Sequence, residues 1–398
     1  MRLTSPALAP ILGLGQICSW GTLYYSFPLI ALQMEAELGW SKSELYAGAT
    51  LGLAMTALLS YPVGAGIDRG FGKWIMGGAS LAALGVMGWW SVTDHLLAFY
   101  VICALSGAIQ AAVLYEPAFA VLARHVGAPN ARRGITHITL WGGFASTVFI
   151  PITELLISTL DWRTTLLWLG AVNFVLGLVY LWVIQPQHDA GHAHTPAQKQ
   201  ADATRDRLIV RENLNNSLFW LVLGSLTVYA GMFSAFTFHM YPLLQEQGLN
   251  ERDVVLAIAV IGPAQVLGRY LVALYAPAMS MRLLGSVVVA VFPIAFALLI
   301  GAQPGFWLVA LVFAAYGMAN GIFTIVRSLV VPEMLSPHAY GALNGIITIA
   351  ATIARAAAPL AAAWLWAING SYGLVMWAIV AASLLLAGGF WTAAWRTR

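Results

Sequence analysis

The sequence predicts an all-α membrane protein of twelve transmembrane helices arranged as two pseudo-symmetric six-helix bundles, and three observations carry that expectation. Of 398 residues, 60% are hydrophobic and only 9% are charged, whereas about a quarter of positions are charged in soluble domains. Apolar runs of about 20 residues, the length that crosses the hydrocarbon core of a bilayer, recur between breaks marked by charge, Pro or Gly. A polar stretch near the middle separates six such runs from six more. This composition excludes a soluble enzyme, a nucleic-acid reader and a disulfide scaffold. The formal net charge of +3 is too small for bulk attraction to a polyanion. The two cysteines, Cys18 and Cys103, both fall inside apolar runs, so no CxxC metal or redox site is available.

The first six runs lie near residues 8–32, 43–66, 74–93, 97–122, 134–158 and 164–185. Arg2 is followed by an uncharged stretch from Leu3 to Met34, too long for the apolar region of a cleaved signal peptide, so the first run reads as a membrane helix. Ser41 and Glu44 form the capping-box spacing that starts the second helix. Residues 187–216 hold His188, His192, His194, Lys199, Arg205, Arg207 and Arg211 among Ala, Gln, Thr and Asp. We read them as a solvated linker in preference to a histidine metal tract. The second six runs lie near 217–244, 253–276, 283–301, 306–329, 341–367 and 373–395. The expected domains are therefore residues 1–186, the linker 187–216, and residues 217–398.

The halves resemble each other. Phe27-Pro28-Leu29 closes the first run and Tyr241-Pro242-Leu243 the seventh, and Asn250 with Asp253 offers the eighth helix a start like that of the second. A similar step at the same ordinal place suggests parallel repeats. With the N-terminus in the cytoplasm, Arg2, Arg69, Lys73, Arg124, Arg132, Arg133, the four basic linker residues, Arg282, Arg327, Arg396 and Arg398 fall on the cytoplasmic side. Only Lys42, Arg163 and Arg252 fall opposite, which assigns both termini to the cytoplasm of a bacterial-type inner membrane. Trp40, Trp74 and Trp395 fit the interfacial aromatic belts.

Between the second and third runs stands Gly64-Ala65-Gly66-Ile67-Asp68-Arg69-Gly70-Phe71-Gly72-Lys73. This G-x-x-x-D-R-x-G-x-K pattern, with twelve runs and a central linker, resembles the signature loop of the major facilitator superfamily. The resemblance implies a monomeric secondary transporter without cofactor or nucleic-acid partner, whose bundles rock about a central small-molecule site. It also implies a cytoplasmic latch. Asp68 would face the N-terminus of the eleventh helix near Tyr340, Gly341 and Ala342, and Arg69 and Lys73 would face acidic groups, with Glu116 as a partner. The alternative for Glu116 is a proton acceptor. The fifth run, with Gly142, Gly143 and Pro151, lacks the Gly-Pro-rich antiporter motif of drug exchangers.

Gly39-Trp40, Asp161-Trp162-Arg163 and Gly262-Pro263-Ala264-Gln265-Val266-Leu267-Gly268-Arg269 look like the monocarboxylate and oxalate:formate transporter group. That resemblance makes Arg269 and Gln265, four residues apart on one helical face, the expected anion site, with Arg355 as a second cation. The group's proton-coupling Lys and Asp are absent here, since the first run is uncharged and Gln265 stands at the acidic position. Two readings of Arg269 stand, an anion ligand or a side chain snorkelling to the interface. Arg355 is either a ligand or part of a packed structural pair. His239 lines the cavity and titrates, or is an interfacial hydrogen-bonded histidine. Tyr24, Tyr115, Trp141, Tyr316 and Asn320 sit near mid-depth, either at the cavity or in helix packing. The expected cargo is a small organic anion. The rival is efflux of a neutral or amphipathic compound such as a drug or trivalent metalloid. Gly21-Thr22-Leu23-Tyr24-Tyr25 and Phe144-Ala145-Ser146-Thr147 support the rival, because they resemble stretches of arsenite-efflux members.

Overall fold

A computed structural model describes residues 5–126, 128–185, 208–276, 279–300, 305–336 and 340–397. Among these there are helices and turns but no strand. That is the outcome bilayer solvation imposes, because a helix satisfies its backbone polar groups within one segment. Among the described residues, ten helices are long and apolar enough by themselves to cross a membrane. The first span, divided by a π-turn, and the third span, Gly72–Ser91, bring the described helical spans to twelve. The chain divides into two compact units, Met1–Gly191 and His192–Arg398.

In the first unit, span one runs as Ser5–Trp20, the π-turn Gly21–Tyr25 and Phe27–Leu38. It continues six residues beyond its expected end at 32 and stops at Gly39, whose φ of 69° places it in the left-handed region that glycine enters without strain. The Ser41–Glu44 capping box then starts span two, Lys42–Gly66, with both reciprocal hydrogen bonds formed. Ile67–Phe71 turns the chain, using a φ of 90° at Gly70, into span three. Spans four and five are each broken, a feature that hydropathy does not register. Span four is Leu96–Val113 and Tyr115–Val126, and span five is Ala128–Gly142 and Ala145–Thr159. Pro117 explains the first break, since it has no N–H to give the Val113 carbonyl, and Gly142-Gly143 marks the second. Span six, Trp162–Val183, is started by Asp161, which accepts from the Thr164 N–H at 2.7 Å.

Two close approaches set the packing of this unit. Gly52 of span two lies against the backbone of Cys103 and Gly107 in span four, and Thr56 Oγ1 donates to the Gly107 carbonyl at 2.9 Å. Spans three and six meet where Gly77 leaves room for Leu181 and Gly177 for Leu81. In both places glycine lets two helices approach to backbone distance.

In the second unit the spans are Ser217–Glu246, Glu251–Tyr275, Met281–Leu298, Phe306–Val330, Tyr340–Asn369 and Gly373–Arg396. Asn250 caps span eight from Asp253 N–H at 2.9 Å, as its spacing predicts. Phe236, Phe292, Phe296, Phe313, Tyr316 and Phe323 form an aromatic core that joins spans seven, nine and ten, with neighbouring ring centroids 4.8 Å (Phe236–Phe296) and 5.0 Å (Phe236–Tyr316) apart. Within the stretch read as the linker, residues 208–214 are helical. Leu208, Ile209, Val210 and Leu214 supply apolar positions there, and Asn213 Nδ2 back-bonds to the Ile209 carbonyl at 2.9 Å. His188, His192 and His194 lie outside the described residues.

The repeat runs deeper than the two Pro-Leu steps. Glu37 and Glu246 each stand two residues before a positive-φ glycine, Gly39 and Gly248, which is followed two residues later by an N-cap, Ser41 and Asn250. Both carboxylates hold the start of their unit's sixth span, and Glu246 also ties the end of span eleven to it. Glu37 accepts from Trp162 Nε1 at 2.5 Å and from Arg163, which also binds Asp94 and the Ser91 carbonyl. Glu246 accepts from the Tyr372 N–H at 2.6 Å and from Trp366 Nε1 at 3.0 Å. The Asp-Trp-Arg triplet thus has a structural role at the end of its bundle.

Candidate functional site

The second unit gathers most of the nominated polar residues. Spans eight and ten touch along glycines: a Cβ on Gly268 would strike Met318, one on Gly317 would strike Ile261, and one on Gly321 would strike the backbone of Gln265. This approach brings Arg269 to span ten, where its Nε donates to the Gly321 carbonyl at 3.1 Å and shares that oxygen with Thr324 Oγ1 at 2.7 Å. Gln265, one turn earlier and buried, meets the same glycine. The contact turns the guanidinium of Arg269 toward a neighbouring helix rather than along its own helix to a surface.

One residue before Gly321, Asn320 is buried, and its Oδ1 accepts from the Tyr229 hydroxyl of span seven. The Tyr229 ring packs on Phe323 with centroids 4.4 Å apart. Arg269, bonded to the Gly321 carbonyl, stands next to this pair, and Arg327 lies two turns further along span ten and is exposed. Arg355 is half-buried on span eleven, and its Nε is shielded from solvent with no hydrogen-bond partner among the described residues. Arg269, beside the Tyr229–Asn320 pair, and Arg355, whose Nε is shielded from solvent, are the cations of this unit placed to attract an anion.

The first unit gathers aromatic rings. Trp20, Tyr24 and Tyr25 of span one stand at the π-turn, with Trp20 5.1 Å from Tyr24 and 5.2 Å from Tyr115 of span four, and Tyr115 stacks on Phe119 at 5.3 Å. Tyr115 also fills the space beside Gly142, at the break in span five, and Phe149 fills the space beside Gly21. Two glutamines tie the broken helices reciprocally. Gln16 Nε2 of span one donates at 2.9 Å to the Val113 carbonyl that Pro117 leaves open, and Gln110 Nε2 of span four donates at 3.0 Å to the Leu23 carbonyl within the π-turn. Interrupted helices with glutamine-held carbonyls are the kind of irregular backbone that membrane proteins tolerate only inside protein.

The remaining nominated residues fall elsewhere. Trp141 packs on Gly13 and is largely exposed, apart from the aromatic group. Tyr316 belongs to the aromatic core of the second unit. His239 is fully buried, with Nδ1 2.9 Å from the Tyr372 hydroxyl and Nε2 2.9 Å from the Pro359 carbonyl. Arg69 is exposed, and Lys73 lies with Nζ 5.7 Å from the ring of Trp74. Glu116 is exposed in the first turn of Tyr115–Val126, where the helix dipole favours a carboxylate, and among the described residues it pairs with neither Arg69 nor Lys73. The side chains of Asp68, Tyr340 and Ala342, and the surroundings of Gly341, lie outside those described.

Sequence reasoning missed Tyr229, the glutamine pair and the two glutamate clamps. A buried Tyr or Gln in an apolar run carries no pattern of its own. The glutamates had one, the recurring Glu-x-Gly-x-(Ser/Asn) step, visible only when both loops are aligned.

Comparison with known proteins agrees with this architecture. The sequence profile of the Major Facilitator Superfamily matches residues 12–359. Human monocarboxylate transporter 11 is 28% identical over 220 residues, which cover 53% of this chain and 44% of that protein. The match therefore spans less than half the length of that relative. Among solved structures, the nucleoside transporter NupG superimposes with a TM-score of 0.75 at 15% identity, covering 98% of this chain and 99% of its own. A bacterial homologue of the human lysosomal transporter Spinster, inward-facing and unoccupied, superimposes at 0.65 with 16% identity, covering 99% and 94%. Identities this low speak for the fold alone. The profile match, extending over most of the chain, and the two six-span units together place the protein in the Major Facilitator Superfamily.

Proposed function

We propose that this transporter carries a small organic anion of the monocarboxylate type by alternating access, with Arg269 and Arg355 binding the negative group and Gln265 and Asn320 orienting it. The observation that supports this reading is the placing of Arg269 against span ten beside the buried Tyr229–Asn320 hydrogen bond, together with the shielded, unpartnered Nε of Arg355. The likeness to a monocarboxylate transporter points the same way. Arg presents a planar fork that matches a carboxylate in two bonds, whereas Lys keeps only the charge. The test is binding of lactate, pyruvate and oxalate to purified protein and to folded Arg269→Lys, Arg269→Gln and Arg355→Gln variants. Arg269→Lys should weaken binding about tenfold, the equivalent of about 1.4 kcal/mol, and each Gln variant should lose it. Wild-type affinity in all three variants overturns the anion site.

A second reading, efflux of a neutral or amphipathic compound, draws on the uncharged group Trp20, Tyr24, Tyr25 and Tyr115. Preferential binding of a neutral aromatic compound, lost in Tyr115→Ala and kept in Arg269→Gln, would select it.

A further inference from the structure

Spans nine and twelve of the second unit, Met281–Leu298 and Gly373–Arg396, pack together along a seam that ends in an arginine. Gly285 of span nine lies against the ring of Phe390, which a Cβ there would strike. Two hydrogen bonds cross the seam beside that contact. Trp391 Nε1 donates to the Ser286 carbonyl at 2.8 Å, and Arg282 Nη1 donates to the Thr397 carbonyl at 3.1 Å. Both side chains are thereby held at the seam.

The outer side of the seam is apolar. Leu384, Gly388, Trp391 and Trp395 are exposed on span twelve at steps of four, three and four residues, which is one face of a helix. Trp391 marks the edge of that face toward span nine, because its indole N–H reaches Ser286. On span nine Leu283 is exposed next to Arg282. The face also has a notch, since a Cβ on Gly388 would meet nothing within 4 Å. Trp395 is 67% exposed. In a membrane span the medium that covers such a face is the acyl chain of a lipid, and Trp near the end of a span sits at headgroup level.

The charged end lacks a counter-charge. Among the described residues, the Thr397 carbonyl is the one acceptor bonded to Arg282, and no carboxylate pairs with it. Glu333, from the turn after span ten, comes near, but its Oε1 accepts the Met281 N–H at 2.7 Å instead. Arg396 turns to the other side of span twelve, where its Nη1 donates to Ser217 Oγ of span seven. Most of the Arg282 fork is therefore left without a protein acceptor.

We infer that the seam of spans nine and twelve is a binding site for an anionic phospholipid of the surrounding bilayer. Its phosphate takes the Arg282 fork, its headgroup lies beside Trp395, and one acyl chain runs along Trp391, the Gly388 notch and Leu384. Guanidinium and phosphate make charge-assisted hydrogen bonds, and a lipid of net negative charge is preferred because the protein supplies no other partner. A free phosphate ion engages Arg282 and leaves the apolar face uncovered. A second copy packed on this face about a two-fold axis sets the same patch against itself and brings Arg282 toward Arg282. The site is independent of which solute the transporter carries.

The first measurement is native mass spectrometry of protein released from nanodiscs of equal parts dioleoylphosphatidylglycerol and dioleoylphosphatidylcholine. As collision energy rises, the last lipid kept by the wild type should be phosphatidylglycerol by about fivefold, the preference expected of one uncompensated cation near the surface. Folded Arg282→Gln should show no preference. Gly388→Leu fills the notch with Arg282 in place, and should keep less phosphatidylglycerol than the wild type. Equal retention of both lipids by the wild type, or a wild-type preference in Arg282→Gln, overturns the site. Unchanged retention in Gly388→Leu overturns the course of the acyl chain. Where Arg282→Gln does not fold, Arg282→Lys carries the test, because it keeps the charge and loses the fork; it should lower the preference without abolishing it, and an unchanged preference counts against the proposal.

Thermal unfolding in maltoside micelles is the second measurement. Added phosphatidylglycerol should raise the Tm of the wild type and not that of Arg282→Gln, while inorganic phosphate at the same concentration should raise neither. Protection by phosphate alone identifies an ion site. A dimer that Trp395→Ala dissociates identifies a contact between copies. Either result overturns the lipid site.

Discussion

The reciprocal glutamine tie between spans one and four offers a test in which sign and size both follow from the structure. Pro117 deprives the Val113 carbonyl of its helical donor, and Gln16 Nε2 replaces that donor at 2.9 Å. Gln16 is fully buried, and its Oε1 has no hydrogen-bond partner among the described residues. Replacing Gln16 with Leu therefore has two opposed effects. It strands the carbonyl, at about 1–3 kcal/mol, and it removes an orphaned acceptor of similar cost. The net change in the native sequence should be small. With Pro117→Ala the backbone N–H returns and satisfies Val113, so Gln16→Leu then only removes the orphan and should stabilise. The coupling in the double-mutant cycle is the cost of the stranded carbonyl, about 1–3 kcal/mol. Equilibrium unfolding of the four proteins in mixed maltoside and dodecyl sulfate micelles, followed by circular dichroism, measures it. A coupling under about 0.5 kcal/mol, the range expected of independent sites, refutes the claim that Gln16 serves the carbonyl freed by Pro117.

Three further outcomes are expected. Arg163→Lys keeps the charge but loses the fork that holds Glu37, Asp94 and the Ser91 carbonyl together, so it should cost about 1 kcal/mol or more in the same unfolding assay; an unchanged curve denies the clamp. The Thr164 N–H and hydroxyl hold the Asp161 carboxyl below the usual aspartate range. The cap's contribution is thus complete above the unfolded value near about 4 and is lost as pH falls through the lower folded value. Asp161→Ala should cost about 1 kcal/mol at neutral pH and progressively less in acid, and a pH-independent difference contradicts the charged cap. In a version lacking Cys18 and Cys103, a cysteine at Ala201 should react with impermeant reagents only from the cytoplasm and one at Asn250 only from outside, and the reverse pattern overturns the orientation.

Much of the fold was legible because the bilayer makes hydropathy a direct readout of architecture. A segment in hydrocarbon must satisfy its own backbone, so a run of about 20 apolar residues has one stable outcome. The helix starts were local too. Ser41–Glu44 and Asn250–Asp253 each join groups three residues apart, and the sequence shows both pairs directly, whereas the cap that Asp161 forms with Thr164 emerged only from the structure. The pairing of Gln265 with Arg269 on one face followed from helical periodicity in the same way.

Tertiary structure decided whatever depends on groups far apart in the chain. Gln16 and Val113 are 97 residues apart, His239 and Tyr372 133, and Glu37 and Arg163 126. Nothing in the local sequence of either partner names the other. The break in span four, its repair from span one, and the tie of His239 to two later helices arise because lipid offers no hydrogen bonds. Each backbone or ring group left open in one helix must find its partner on another, and only the packing of the helices determines which one is within reach.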